Sequence, residues 1–165
     1  MDRTHTFLRI TIIHIVLMAV GAWFGTATTV FAAASFYLSP ESGVYTIDET
    51  FPVEVRLRTG GELINAAGGS VSFNSDELKV VELSTEGSIF GSWVPREPTY
   101  SNVEGVVRFE GVTTNAYKGD AGLVLTITFK ALRDVDSPVR FQAGSAILAL
   151  DGKGTNILTQ MDSGV

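Results

Sequence analysis

Beyond residue 34, hydrophobic and polar residues alternate with a period of two along most of the chain. In residues 50–59, Phe51, Val53, Val55 and Leu57 fall on one face, and Pro52, Glu54, Arg56 and Arg58 on the other. In residues 122–132 the inward set reads Leu123, Leu125, Ile127, Phe129 and Ala131, with Val124, Thr126, Thr128 and Lys130 outward. Val71 and Phe73 alternate with Ser70, Ser72 and Asn74. Val107 and Phe109 alternate with Arg108 and Glu110, and Val139 and Phe141 flank Arg140. This pattern predicts antiparallel strands with one face buried and one wet. Turn signals separate the strands: Ser39-Pro40-Glu41-Ser42-Gly43, Thr59-Gly60-Gly61, Asn74-Ser75-Asp76, Lys118-Gly119-Asp120 and Asp151-Gly152-Lys153-Gly154. No stretch carries apolar residues at helical spacing for more than one turn. The chain therefore reads as all-β: a two-sheet antiparallel β-sandwich with jelly-roll topology and about nine strands. Its expected core is Phe51, Val53, Val55, Phe73, Leu78, Val80, Phe109, Leu125, Ile127, Phe129 and Phe141.

The first 34 residues follow different rules. Arg3 and Arg9 precede an apolar run from Ile10 to Phe24, and a small-residue exit ends at Ala32-Ala33-Ala34. That order is a secretory signal peptide, giving residues 1–34 as leader and 35–165 as the domain. Val30-Phe31-Ala32 offers a second cleavage site two residues earlier. The rival reading is an uncleaved anchor, since no charge occurs between Ile10 and Pro40; only then would the protein touch a membrane. Both readings place the domain outside the cytoplasm, secreted or at the cell surface.

Composition then closes several routes. The 165 residues include no Cys and two His, and the formal charge is −6. His5 and His14 leave with the leader, so the exported chain lacks the residues for a Ser-His-Asp triad, a Cys-His pair or a His-ligated metal. The acidic balance argues against nucleic acid, which needs clustered Lys and Arg. A glycosidase needs two placed carboxylates; Glu54, Glu82, Glu104 and Glu110 lie on or near strands with no positional signal, so the chain reads as non-catalytic.

Several segments, in order, resemble a cohesin domain. SFYLSPESGVYTIDETFPVEVRLRTGG is similar to the family's opening strands, and INAAGGSVSFNSDELKVVELSTEGSIF to its central pair. GVVRFEGV and AGLVLTITFKAL resemble its later strands, so the likeness spans roughly residues 35–155. The family's tyrosine and aspartate at the central turn are here Phe73 and Asn74; Asn preserves the turn chemistry. Residues 156–163 are expected to supply a final strand, unless the chain is a fragment. The resemblance implies a nine-stranded, non-catalytic receptor that binds a dockerin module through one sheet face, and thereby attaches enzymes to a scaffold or cell surface for polysaccharide breakdown. The dockerin, not the cohesin, carries the paired calcium loops. The same broad fold group includes cellulose-binding modules.

Three kinds of site follow. A partner-binding surface draws on Glu54, Arg56 and Arg58 from one strand, and on Ser70, Ser72 and Asn74 from another. Alternatively, a polysaccharide stacks on Trp93, Tyr100 and Tyr117, with a loop Trp capping the sandwich as the plainer role for Trp93. A third reading is a structural adhesin or surface-layer module. No cofactor is indicated: Asp151-Gly152-Lys153-Gly154-Thr155-Asn156 and Asp134-Val135-Asp136 lack the EF-hand pattern, leaving ordinary Asx turns or a non-EF structural calcium.

Overall fold

The computed structural model describes residues 34–134, 136 and 138–164. Apart from Ala34, the expected leader lies outside the described residues. Eleven strands build the fold: β1 (Ala34–Ser39), β2 (Thr50–Arg58), β3 (Ile64–Ser72), β4 (Leu78–Ser84), β5 (Ser92–Trp93), β6 (Thr99–Ser101), β7 (Val106–Tyr117), β8 (Gly122–Ala131), β9 (Arg140–Phe141), β10 (Ala146–Ala149) and β11 (Leu158–Asp162). They form two sheets. One has five strands in the order β11-β1-β2-β8-β4. The other has six, in the order β10-β3-β7-β5, with β6 also on β7 and β9 also on β3.

The inward positions of both sheets meet in one core, and all eleven expected core residues lie in it, none more than 9% exposed. Aromatic rings bridge the sheets. Phe36 of β1 meets Phe109 of β7 edge-on at 5.8 Å and stacks on Phe141 of β9 at 5.3 Å, while Phe129 of β8 meets Phe73 at 5.2 Å. Each such ring removes a large apolar area from water, the main term holding a sandwich together.

Two details depart from simple alternation. Between β2 and β8 the register shifts after Val55, so Val55 faces Leu125 but Arg56 faces Leu123. This bulge makes Val124 the extra residue, and the expected assignment reverses: Val124 is fully buried, and Leu123 turns outward beside Arg56. The expected final strand is β11, but it pairs parallel with β1, so the five-stranded sheet is mixed rather than purely antiparallel. The count exceeds nine because β5, β6 and β9 are short pieces along the six-stranded sheet.

The central turn forms as its sequence demands. The Asn74 side-chain oxygen accepts the Asp76 N–H at 3.1 Å, and the Asn74 carbonyl accepts the Leu78 N–H at 2.8 Å.

Candidate docking face

On β3, Ala67 and Val71 point into the core, so Ala66, Gly68, Ser70 and Ser72 face outward. Strand register extends these into rows across the six-stranded sheet. Leu148, Ala66, Val112 and Ser92 make one row; Ala146, Gly68 and Glu110 make the next; Ser70, Arg108 and Thr99 make a third. The middle of this face is therefore paved with very small side chains. At Gly68 a Cβ would stand 3.2 Å from both Cγ of Glu110 and the Phe109 carbonyl oxygen, which leaves little room for anything larger. Beside the low floor stand Val94, Pro95, Arg96 and Glu97. Together they enclose an open depression of about 450 Å³.

The face is graded. Leu148, Ala66 and Val112 give it an apolar end, continued by Leu63 and Leu150, which are about half exposed and joined by a backbone hydrogen bond from Leu150 N–H to the Leu63 carbonyl. Toward the other end Arg108 bonds Glu104 at 3.0 Å, with both side chains mostly in water. Arg96, Glu97 and Glu110 have no ion-pair partner among the described residues. Small residues lose little side-chain freedom when covered, and an apolar strip with a charged rim is the composition of a protein interface. Such an arrangement can bind.

The outer face of the five-stranded sheet is unlike it. Arg56 Nε bonds Glu54 at 2.7 Å, and its Nη1 donates to the Ala121 carbonyl at 2.8 Å. The hydrogen bond that Arg56 donates to Glu54 raises the Arg56 pKa above its ordinary value. Arg58 approaches Asp162 at 3.5 Å and lies 3.9 Å over the Tyr37 ring. Lys130 meets Asp48 at 2.6 Å, and that hydrogen bond holds the Asp48 carboxyl below the usual range. Most of the charges here are paired with one another, while Lys79 and Glu82 on β4 have no ion-pair partner among the described residues.

The six residues expected to bind a partner thus fall in three places. Glu54, Arg56 and Arg58 sit on the five-stranded face. Ser70 and Ser72 sit on the six-stranded face, where Ser70 donates to Gln142 at 2.8 Å and Ser72 to the Arg140 carbonyl at 3.3 Å. Asn74 is consumed by its own turn. Sequence reasoning missed Ala66, Gly68, Ala146, Leu148 and the 94–97 segment. The available signal was the run Ala66-Ala67-Gly68-Gly69-Ser70, a set of poor strand formers held in a central strand.

Trp93, Tyr100 and Tyr117 make no ring contact with one another among the described residues. Trp93 is half-buried and meets Phe90 edge-on at 6.0 Å. Tyr100 lies on β6, and Tyr117 ends β7, packed against Gly119 and Gly122. The two aspartate segments are held by hydrogen bonds, Asp151 within its own loop and Asp134 to a distant one. One Asp151 oxygen accepts the Lys153 N–H at 2.8 Å, and the other accepts the Thr155 hydroxyl, which lowers the Asp151 pKa. Asp134 accepts the Ile47 N–H at 2.8 Å. Among the described residues no three acidic side chains gather as a metal cage.

No family model matches the chain, and no curated protein matches it. Solved structures do. The chain is similar to the seventh ScaB type I cohesin of Pseudobacteroides cellulosolvens, with a TM-score of 0.62 and 16% identity over 80% of this chain and 89% of that one. It is similar to a Clostridium thermocellum OlpA cohesin, solved in complex with a dockerin, with a TM-score of 0.60 and 16% identity over 80% and 96% of the two chains. A third is the sixth cohesin of scaffoldin B from Acetivibrio cellulolyticus in complex with the Cel5 dockerin, with a TM-score of 0.60 and 10% identity over the same shares. The chain has the cohesin fold.

Proposed function

We propose that this protein is an exported, non-catalytic receptor for a dockerin-type module, docked on the outer face of the six-stranded sheet, and that it serves polysaccharide breakdown or cell-surface assembly. The cohesin fold supports the class of partner, since two of the similar cohesins were solved holding dockerins. The observation that carries the reading is the face itself. Ala66, Gly68, Ser70 and Ala146 form a floor low enough for a helix backbone to approach closely, with the depression beside Val94 and Pro95 able to take an anchoring side chain. The opposite face offers paired charges, and each pair would have to be broken or desolvated to bind anything.

The test is capture from the source organism's secreted and surface fraction on the immobilised full chain, with calcium and with chelator. A dockerin folds around its calcium ions, so chelation removes the partner's shape. A captured protein bearing paired calcium loops, retained only with calcium, supports the reading. Capture that ignores calcium, or of proteins without such loops, contradicts it.

A further inference from the structure

A second groove, of about 450 Å³, lies at the tip of β7, between its last residues and the segment leading into β5. Its ten lining residues include no charged side chain, although 18% of the chain is charged and the depression on the docking face, of equal volume, is lined by Arg96, Glu97, Arg108 and Glu110. Hydroxyls and one amide line it instead. Some are already committed: the Thr113 hydroxyl donates to the Asn115 carbonyl at 2.9 Å and accepts the Asn115 N–H, and Ser88 Oγ accepts the Phe90 N–H at 3.1 Å. Those bonds hold the two walls in shape. Four other polar side chains, on Ser92, Thr114, Asn115 and Tyr117, have no hydrogen-bond partner among the described residues, and the first three are exposed.

Tyr117 gives the groove an aromatic wall that cannot swing freely. A Cβ on Gly119 would stand 2.6 Å from the Tyr117 hydroxyl oxygen, and one on Gly122 would stand 2.8 Å from its ring, so the ring is packed directly against glycine backbone. Ile89 and Ala116 complete the apolar portion. An anion would find no Lys or Arg here, and a cation no carboxylate. A purely apolar ligand would leave the four free polar groups unpaired. What satisfies all of them is a neutral ligand carrying many hydroxyls and an apolar ring face.

We infer that this groove binds a neutral saccharide chain, with the sugar hydroxyls bonded by Ser92, Thr114 and Asn115 and a ring face against Tyr117. The site is separate from the docking floor but adjoins it, because Ser92 and Val112 belong also to the outer row of the six-stranded sheet. One module would then hold a protein partner and a glycan side by side. Trp93, which packs against Phe90, is not part of this site.

The test is calorimetric titration of the full chain with three neutral hexasaccharides, of β-linked glucose, xylose and mannose. Binding of at least one is expected. The exposed-site double variant Thr114→Ala/Asn115→Ala should weaken it about tenfold or more, and Tyr117→Phe should weaken it without abolishing it. Ala146→Arg, on the docking floor, should leave it unchanged, and thermal melts of each variant establish that the fold persists. If no saccharide of the three binds, or if binding survives loss of Thr114 and Asn115 side chains in a folded variant, the inference is overturned. Because the groove and the docking floor are altered by different substitutions, failure here leaves the docking test standing on its own result.

Discussion

The two outer faces of this sandwich use the same strand alternation to opposite ends. On the five-stranded sheet, long charged side chains meet across strands: Glu54 with Arg56, Arg58 with Asp162 and Tyr37, and Lys130 with Asp48. On the six-stranded sheet the central strand presents Ala66, Gly68 and Ser70, small side chains of which Ser70 alone is bonded, to Gln142. A face that completes its own interactions adds to stability. A face left low and open leaves its interactions for another molecule, and the weak strand propensity of Ala and Gly is tolerated because β7 and β10 flank β3 on both sides. The difference teaches that the richer array of charges is the poorer candidate for an interface.

The comparison breaks most visibly through substitutions that project a bulky charged side chain from each face. Ala146→Arg or Ala66→Arg should fill the floor of the depression and lower affinity for the captured partner at least 100-fold, about 3 kcal/mol, with little change in melting temperature. Thr128→Arg, outward on the five-stranded face, should change affinity less than about threefold. Both follow from a binding isotherm.

The edge of the five-stranded sheet gives the next largest effect. Asn102, in the loop between β6 and β7, accepts the Val80 N–H at 2.8 Å and donates to the Val80 carbonyl at 3.0 Å, standing in for a neighbouring strand on β4. Asn102→Ala leaves both groups unpaired and should cost about 2 kcal/mol in denaturant unfolding. At the other edge, β11 is tied to the first residue of β1. Ala34 belongs to β1, is 4% exposed, and its carbonyl accepts the Thr159 hydroxyl at 3.1 Å. A chain beginning at Ser35 loses that acceptor and places a charged amino terminus on a residue only 4% exposed. It should be less stable than one beginning at Ala33 by about 1–3 kcal/mol, read by denaturant unfolding of the two chains.

Arg58→Ala removes the Tyr37 and Asp162 contacts together and should cost about 1 kcal/mol of stability with no loss of partner binding. The smallest effect is on acid. The Asp48 and Asp151 carboxyls sit below the usual range, held there by Lys130 and Thr155. The native state therefore keeps them ionised where the unfolded chain takes up protons. Their contribution is present above the ordinary carboxylate range and fades as pH falls below about 4. The melting temperature should drop slightly there, and Asp151→Asn should blunt part of that drop.

The sequence shows the core almost directly, because burial on one face of a strand writes itself as period two. Phe51 through Leu57 and Leu125 through Ala131 behave as their alternation says. It fails at Leu123 and Val124, since a bulge adds one residue without disturbing the composition of the run. It also does not show that β11 lies parallel to β1, a pairing across more than a hundred residues that no local pattern encodes. The site was less legible. Alternation tells which residues of a strand share a face, but not that β2 and β3 lie in different sheets, so Glu54 and Ser70 looked like parts of one surface. A docking floor made of Ala and Gly announces itself by what it lacks.

The central claim, that the six-stranded face is the docking face, is tested most directly by titrating the calcium-dependent partner against wild type, Ala146→Arg and Thr128→Arg under identical conditions. The account predicts affinity lost on Ala146→Arg and kept on Thr128→Arg, with both variants melting like the wild type. Affinity kept on Ala146→Arg and lost on Thr128→Arg would place docking on the five-stranded face and contradict it.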